Sequence, residues 1–348
     1  MKKTIEMNHH MDDFECMWNG IEDLYINKTG ESLPPSFFFS LASFGSFCYM
    51  KMPKIEIKRL IAFGDGRTRQ MYEFLAPIVG FSYQHYEYKT FERLMSKARK
   101  EIDDGFPVVL GALDMYYLPY FSKLYHQEHI PFHYFLMTGY DDEKEIITML
   151  DCGREEPMTL SYEELRLALD CSYPGLSKPF TLCTVRMDST KTKEQIARDA
   201  LKKRSEQFLN PPVGFIGYKG LEKMIKEMPS WLEELGKEDL DKILYQFVQF
   251  LGTVPELPNA LRGIKEPDLP YYGGFDKMSK VLFMLGTEYK DEAWLEMAKC
   301  LDIGKNDVLK IKDIIVDYLT NTNNQLELLP ELFSKVKDTL IKMYQYCK

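Results

Sequence analysis

The feature that most constrains the fold is a change of texture near residue 190. Before it, short β-type runs alternate with helical stretches: RLIAFG (59–64), PVVLGAL (107–113), FHYFLMTGYD (132–141), EIITMLD (145–151) and FTLCTVRM (180–187). Between them, residues 91–103 (FERLMSKARKEID) carry an amphipathic helical pattern that stops at the Gly105 and Pro107 signals. After it, apolar residues recur only at helical spacing: Leu221, Met224, Ile225, Met228 and Leu232; then Leu240, Ile243, Leu244, Phe247 and Leu251; then Val308, Ile311, Ile315, Tyr318 and Leu319. A single core seldom grows past ~300 residues, so the 348 residues divide into an α+β domain over 1–190 and an all-α helical domain over 191–348. The polar stretch DSTKTKEQ (188–195) is the predicted boundary. A Pro-rich segment at 254–274 reads as a long loop between two helical groups.

Composition narrows the function. The formal net charge is -9, which opposes a phosphate backbone, so no nucleic acid is expected as partner. No run approaches the ~20 apolar residues of a membrane span, and the two lysines at the N-terminus precede no apolar stretch, so the expected location is cytoplasmic with no membrane attachment. The 7 cysteines are scattered and never form a Cys-x-x-Cys pair, against both a disulfide framework and structural zinc. All six histidines lie at or before His133. Chemistry that uses a histidine base therefore belongs to the first domain.

Cys16 falls in the first turn of a helix for which Asp13 is a plausible N-cap and Met17, Ile21 and Leu24 form the apolar stripe. The helix dipole and unpaired N–H groups there favour thiolate and can stabilise an oxyanion. Asp12, Asp13 and Glu15 work the other way, so a histidine is needed to activate the thiol. His133 opens an apolar strand that turns through Asp141–Lys144 and returns to Asp151. With a three-residue loop at 141–143, His133 faces Asp151 directly, Cβ atoms ~5 Å apart. A loop of two or four residues places them on opposite faces unless a bulge intervenes. Nucleophile, base and orienter are thus predicted as Cys16, His133 and Asp151.

At these residues the chain resembles papain-like enzymes, which share the order of helix-borne Cys, strand-borne His, then Asp or Asn on the next strand. More closely, GFPVVLGALDMYYLPY (105–120), HQEHIPFHYFLMTGYDD (126–142) and EIITMLD (145–151) resemble the N-terminal domain of the butirosin biosynthesis protein H family. Residues 210–348, with GFIGYKGLEKM (214–224), look like the helical domain that follows it there. The resemblance implies acyl transfer from an acyl-carrier-protein thioester to an amine of an aminoglycoside-like acceptor, with Cys16 as the acyl-accepting thiol, His133 as base and Asp151 as orienter. It implies no cofactor. Where papain-like enzymes place an oxyanion-hole glutamine, about six residues before the nucleophile, this chain has His10, so His10 or backbone N–H groups fill that role. A papain-like peptidase or amide hydrolase, and an inert binding protein of the same fold, are the alternative classes.

Asp114, Tyr116, Tyr117 and His129 are the predicted substrate-binding residues, gathered beyond a strand end. His126, His129 and His133 do not read as a metal site, because Pro131 prevents one helix from aligning them. The Gly-x-Gly of Gly64-Asp65-Gly66 lacks the rest of a phosphate loop and reads as a strand-to-helix turn. Cys152, beside Asp151, is the rival nucleophile, disfavoured by its place on a strand.

Overall fold

A computed structural model describes residues 1–12, 16–64, 68–122, 124–131, 133–172, 178–251 and 274–347. The Asp13 cap, residues 65–66 of the Gly-x-Gly turn and the Pro-rich segment up to residue 273 lie outside the described residues. The chain is mixed α/β and groups into two units, residues 1–38 with 67–193 and residues 39–66 with 194–348.

The first unit is built on an antiparallel sheet. Its strands are β1 (Lys2–Thr4), β4 (Ser82–Glu87), β5 (Val108–Leu113), β6 (His133–Asp141), β7 (Ile146–Leu150), β8 (Met158–Ser161) and β9 (Thr181–Arg186), in the order β4-β9-β5-β6-β7-β8, with β1 extending the β5 side of β6. Every residue of β5 and β6 is buried, which is why these two strands read as nearly continuous apolar runs. Helices α1 (Cys16–Thr29), α3 (Thr68–Val79), α4 (Phe91–Asp103) and α5 (Tyr162–Leu169) complete this unit. Two of them show how local sequence starts a helix: Thr90 caps α4 through Arg93 N–H, and Ser161 with Glu164 forms a capping box on α5.

The β6–β7 hairpin departs from the three-residue loop. Residues 142–145 separate the strands, and Asp141 Oδ1 closes the turn by accepting from Glu143 and Lys144 N–H at 3.1 and 3.2 Å. Four residues alone would send His133 and Asp151 to opposite faces. A bulge at Thr138 reverses this: Gly139 pairs with Thr148 but Met137 pairs with Met149, so one residue of β6 is skipped and parity is restored. The Thr138 carbonyl accepts from Ile5 N–H at 2.8 Å, just past β1. His133 and Asp151 share a face diagonally rather than directly opposite each other.

One close approach matters for the site. A Cβ on Gly20 of α1 would sit 3.1 Å from Leu136 Cβ on β6, so glycine lets the helix lie against the strand that carries His133. Gly20 is one turn beyond Cys16 and on the same face of the helix.

In the second unit, β2 (Cys48–Lys51) and β3 (Arg59–Ala62) form a hairpin, accompanied by α6 (Lys193–Leu209), α7 (Gly217–Glu227), α8 (Trp231–Phe250), α9 (Phe275–Tyr289), α10 (Glu292–Leu319) and α11 (Leu329–Gln345). Helix α2 (Phe37–Ser43) spans the first division between the units. Residues 39–66 group with the later helices because their aromatic side chains are core there. Phe63 packs on Phe247, Phe275 and Phe333, and Tyr49 stacks on Trp231. The predicted stripes bury Leu221, Met224, Leu240, Ile243, Leu244, Phe247, Val308, Ile311 and Ile315, whereas Leu232 is exposed because α8 begins only at Trp231, after a turn of 3₁₀ helix. Among the described residues no helix is long and apolar enough to cross a membrane.

Candidate functional site

Every predicted site residue lies in the first unit. Helix α1 begins at Cys16, β6 begins at His133, and Asp151 immediately follows β7. His133 and Asp151 are both almost fully buried. His133 Nε2 lies 3.0 and 2.8 Å from Asp151 Oδ1 and Oδ2. The same imidazole hydrogen-bonds with Cys16, and with Nε2 committed to the carboxylate, Nδ1 is the ring nitrogen left for the thiol. Burial disfavours the imidazolium, but the Asp151 charge, the Cys16 thiol and the hydrogen bonds to both outweigh it and push His133 up to about 10. The three residues named from sequence are brought together.

Two neighbours were not anticipated. Tyr120 donates its hydroxyl to Asp151 Oδ2 at 2.7 Å, and the Phe121 ring stands edge-on to His133 with centroids 5.0 Å apart. Arg154 holds both in place, its guanidinium over the Tyr120 and Phe121 rings and one N–H on the Tyr120 carbonyl at 3.1 Å. Tyr120 closes the DMYYLPY run. Its distance from Asp151 along the chain hid the contact, although the density of aromatics there was a signal.

His9 and His10 meet two acids at the centre of α1. His9 Nδ1 lies 2.8 Å from Asp23 Oδ2, and its Nε2 lies 3.1 Å from the Asp151 carbonyl oxygen. The His10 backbone N–H donates to Asp23 Oδ1 at 2.6 Å, while its ring nitrogen Nε2 is 3.2 Å from Glu22 Oε2. Glu22 and Asp23 are fully buried. Burial raises both carboxyls, the histidines opposing it. The Glu22 contact comes first among the causes that raise His10, with burial working against it. The His10 ring is thereby directed at Glu22.

Asp114 is buried and its oxygens are occupied: Oδ1 accepts from Tyr116 and Ile130 N–H at 3.1 and 2.9 Å, and Oδ2 lies 2.6 Å from His129 Nδ1. It organises the loop after β5 rather than presenting a charge to solvent. The His129 side chain, 61% exposed, stacks on Tyr116 at 4.1 Å, and Tyr117 meets Tyr116 edge-on at 4.9 Å. His126 also stands beside Tyr116. His129 faces Asp114 and His133 faces Asp151, so the histidine series does not converge, and among the described residues no group of three or more His, Cys, Asp or Glu comes together to hold a metal. Cys152 is partly exposed. Cys171 and Cys183 are buried, and desolvation pushes each up to about 12.

The class so defined is a mixed α/β unit on an antiparallel sheet, with a buried His–Asp pair reaching a cysteine at a helix start. Residues 15–152 match the family described as butirosin biosynthesis protein H, N-terminal, a span that contains Cys16, His133 and Asp151. Over those residues the chain is similar to the butirosin biosynthesis protein H family. Residues 164–253 match a domain of unknown function (DUF4872). No curated protein matches the chain.

Proposed function

We propose that this protein is a papain-like cysteine acyltransferase of specialised metabolite biosynthesis, moving an acyl group from a carrier-protein thioester to an amine of a small polar acceptor. The observation that carries the reading is the buried contact of Cys16 with His133 and of His133 with Asp151 inside the matched span. Cys16 sulfur attacks the thioester carbonyl, the carrier thiol leaves with the proton from His133, and acyl-S-Cys16 remains. The acceptor amine then attacks that thioester, His133 takes its proton, and the Cys16 sulfur departs as the amide forms. A thioester exchanges with a thiol at little energetic cost, whereas a peptide requires protonation of a poor leaving group.

Asp151 orients the imidazole, with Tyr120 fixing the carboxylate in turn. Backbone N–H groups at the start of α1 serve as the oxyanion donors, the His10 ring being turned toward Glu22 instead. The half-buried rings of Tyr116 and Tyr117 and the exposed His129 form the acceptor surface, with Asp114 holding the loop in place.

The test is to load the protein from a simple acyl thioester, locate the adduct by mass, and chase with a panel of aminoglycosides and polyamines against buffer. The expected result is an adduct on Cys16 released as amide in excess of free acid. Hydrolysis indifferent to every amine would make it a hydrolase. Failure of thioesters and peptides alike to load Cys16 would leave a binding protein.

A further inference from the structure

The His9 imidazole touches two elements that the proposed chemistry must hold in register. Its Nδ1 meets a carboxylate on the helix that begins with Cys16, and its Nε2 meets the main-chain carbonyl of the residue that orients His133. Both partners can only accept a hydrogen bond in these states. A neutral imidazole has one N–H, so beside an ionised Asp23, whose Oδ1 also accepts from His10 N–H, one of its nitrogens would turn a lone pair toward oxygen; with Asp23 ionised only the imidazolium satisfies both contacts. The side chain is 6% exposed and Asp23 is fully buried, so water does not readily supply the missing partner.

We infer that His9 is a positioning residue, a doubly protonated brace that ties the Cys16 helix to the backbone of Asp151. The inference rests on the proposed role of Cys16, His133 and Asp151.

The charged and polar groups around the ring fit this assignment. Asp23 approaches from α1 with Glu22 beside it, the Asp151 and Arg154 carbonyls approach from beyond β7, and His10 and Asp12 lie on its own segment. Burial opposes the cation, and the Asp23 hydrogen bond and charge, joined by the two carbonyls, overcome it and raise His9 above the ordinary histidine range. The same two segments are joined again where Gly153 N–H donates to the Asp12 carbonyl at 3.1 Å. Losing the proton breaks one of the two His9 contacts and frees Asp151 to shift. A displacement on the order of 1 Å at such a position costs about a hundredfold in rate.

Two measurements on the full chain test this. Long-range proton–nitrogen spectra of protein labelled at histidine, with His9 assigned by its absence in His9→Gln, should show both ring nitrogens protonated at pH 7. A neutral ring at that pH overturns the inference. Thioester loading and iodoacetamide alkylation of Cys16 should slow about ten- to a hundredfold in His9→Gln and Asp23→Asn, with the loss in kcat rather than KM. Folded His9→Gln that keeps the wild-type rate and pH profile also overturns it. If wild-type Cys16 reacts with neither reagent, the catalytic reading fails by itself, while the ring spectra still decide the charge. If the variants do not fold, the spectra of the wild-type protein still decide it, the His9 ring then being assigned through its own backbone by triple-resonance correlation.

Discussion

At the level of single residues, His133 is where burial and charge oppose each other most directly. An isolated imidazole in such a place would be neutral, yet the negative charge of Asp151 and that of the Cys16 sulfur, with the hydrogen bonds to both, push it up to about 10. The consequence for stability has a definite sign. Because the folded value lies above the ordinary histidine value of about 6.5, the contribution is fully present below pH ~6.5 and is lost as pH rises through about 10. Wild type should therefore exceed His133→Gln in denaturation midpoint most strongly near pH 6, and the gap should narrow toward pH 10. Urea titrations of both proteins across that range check it; a gap that does not change with pH would mean that His133 is neutral in the folded state. Cys16, His133 and Asp151 were readable because each sits at an element boundary that apolar pattern and turn signals mark. Tyr120, Phe121, Arg154 and His9 were not, since their roles come from contacts across long stretches of chain.

Among the elements, α1 and β6 set the distance between thiol and imidazole. They lie close at Gly20, where an added methyl would meet Leu136 Cβ at 3.1 Å. Alanine is better than glycine in a helix by about 1 kcal/mol, so Gly20→Ala should leave thermal stability nearly unchanged, the helical gain offsetting the crowding. The same methyl pushes α1 off β6 by a few tenths of an ångström, and Cys16 alkylation should slow severalfold, with Gly20→Val slower still. Rates measured beside melting curves check it; equal rates in all three proteins would show that this contact does not govern the thiol. The hairpin teaches the limit of pattern reading. The strands were predicted nearly to the residue, but the four-residue turn and the Thr138 bulge are two errors of parity that cancel.

For the molecule as a whole, the grouping of residues 39–66 with the later helices has a practical consequence. A fragment ending at residue 190 would contain the whole candidate site but leave Phe47, Tyr49, Ile61 and Phe63, all buried in the full chain, without their partners beyond Glu194. Such a fragment is expected to bind hydrophobic dyes and to self-associate more than the full chain. Gel filtration and dye binding check this; a monomeric, cooperatively unfolding fragment would show that the 39–66 segment settles without the second unit.

The amino-acid sequence by itself determined what depends on neighbours along the chain: the strands β3, β5, β6, β7 and β9, the helix α4, the all-helical texture after residue 190, and the placing of Cys16 and His133 at element starts. These are set by apolar period, caps and breakers, whose range is a few residues. Only the tertiary structure decided that Thr138 bulges, that Glu22 and Asp23 are buried against two histidines, that Asp114 spends its carboxylate on the His129 loop, and that residues 39–66 join the later helices. Each of these depends on which distant surfaces meet, where a buried polar group must find a partner and an aromatic side chain a core, and neither requirement is written in local spacing.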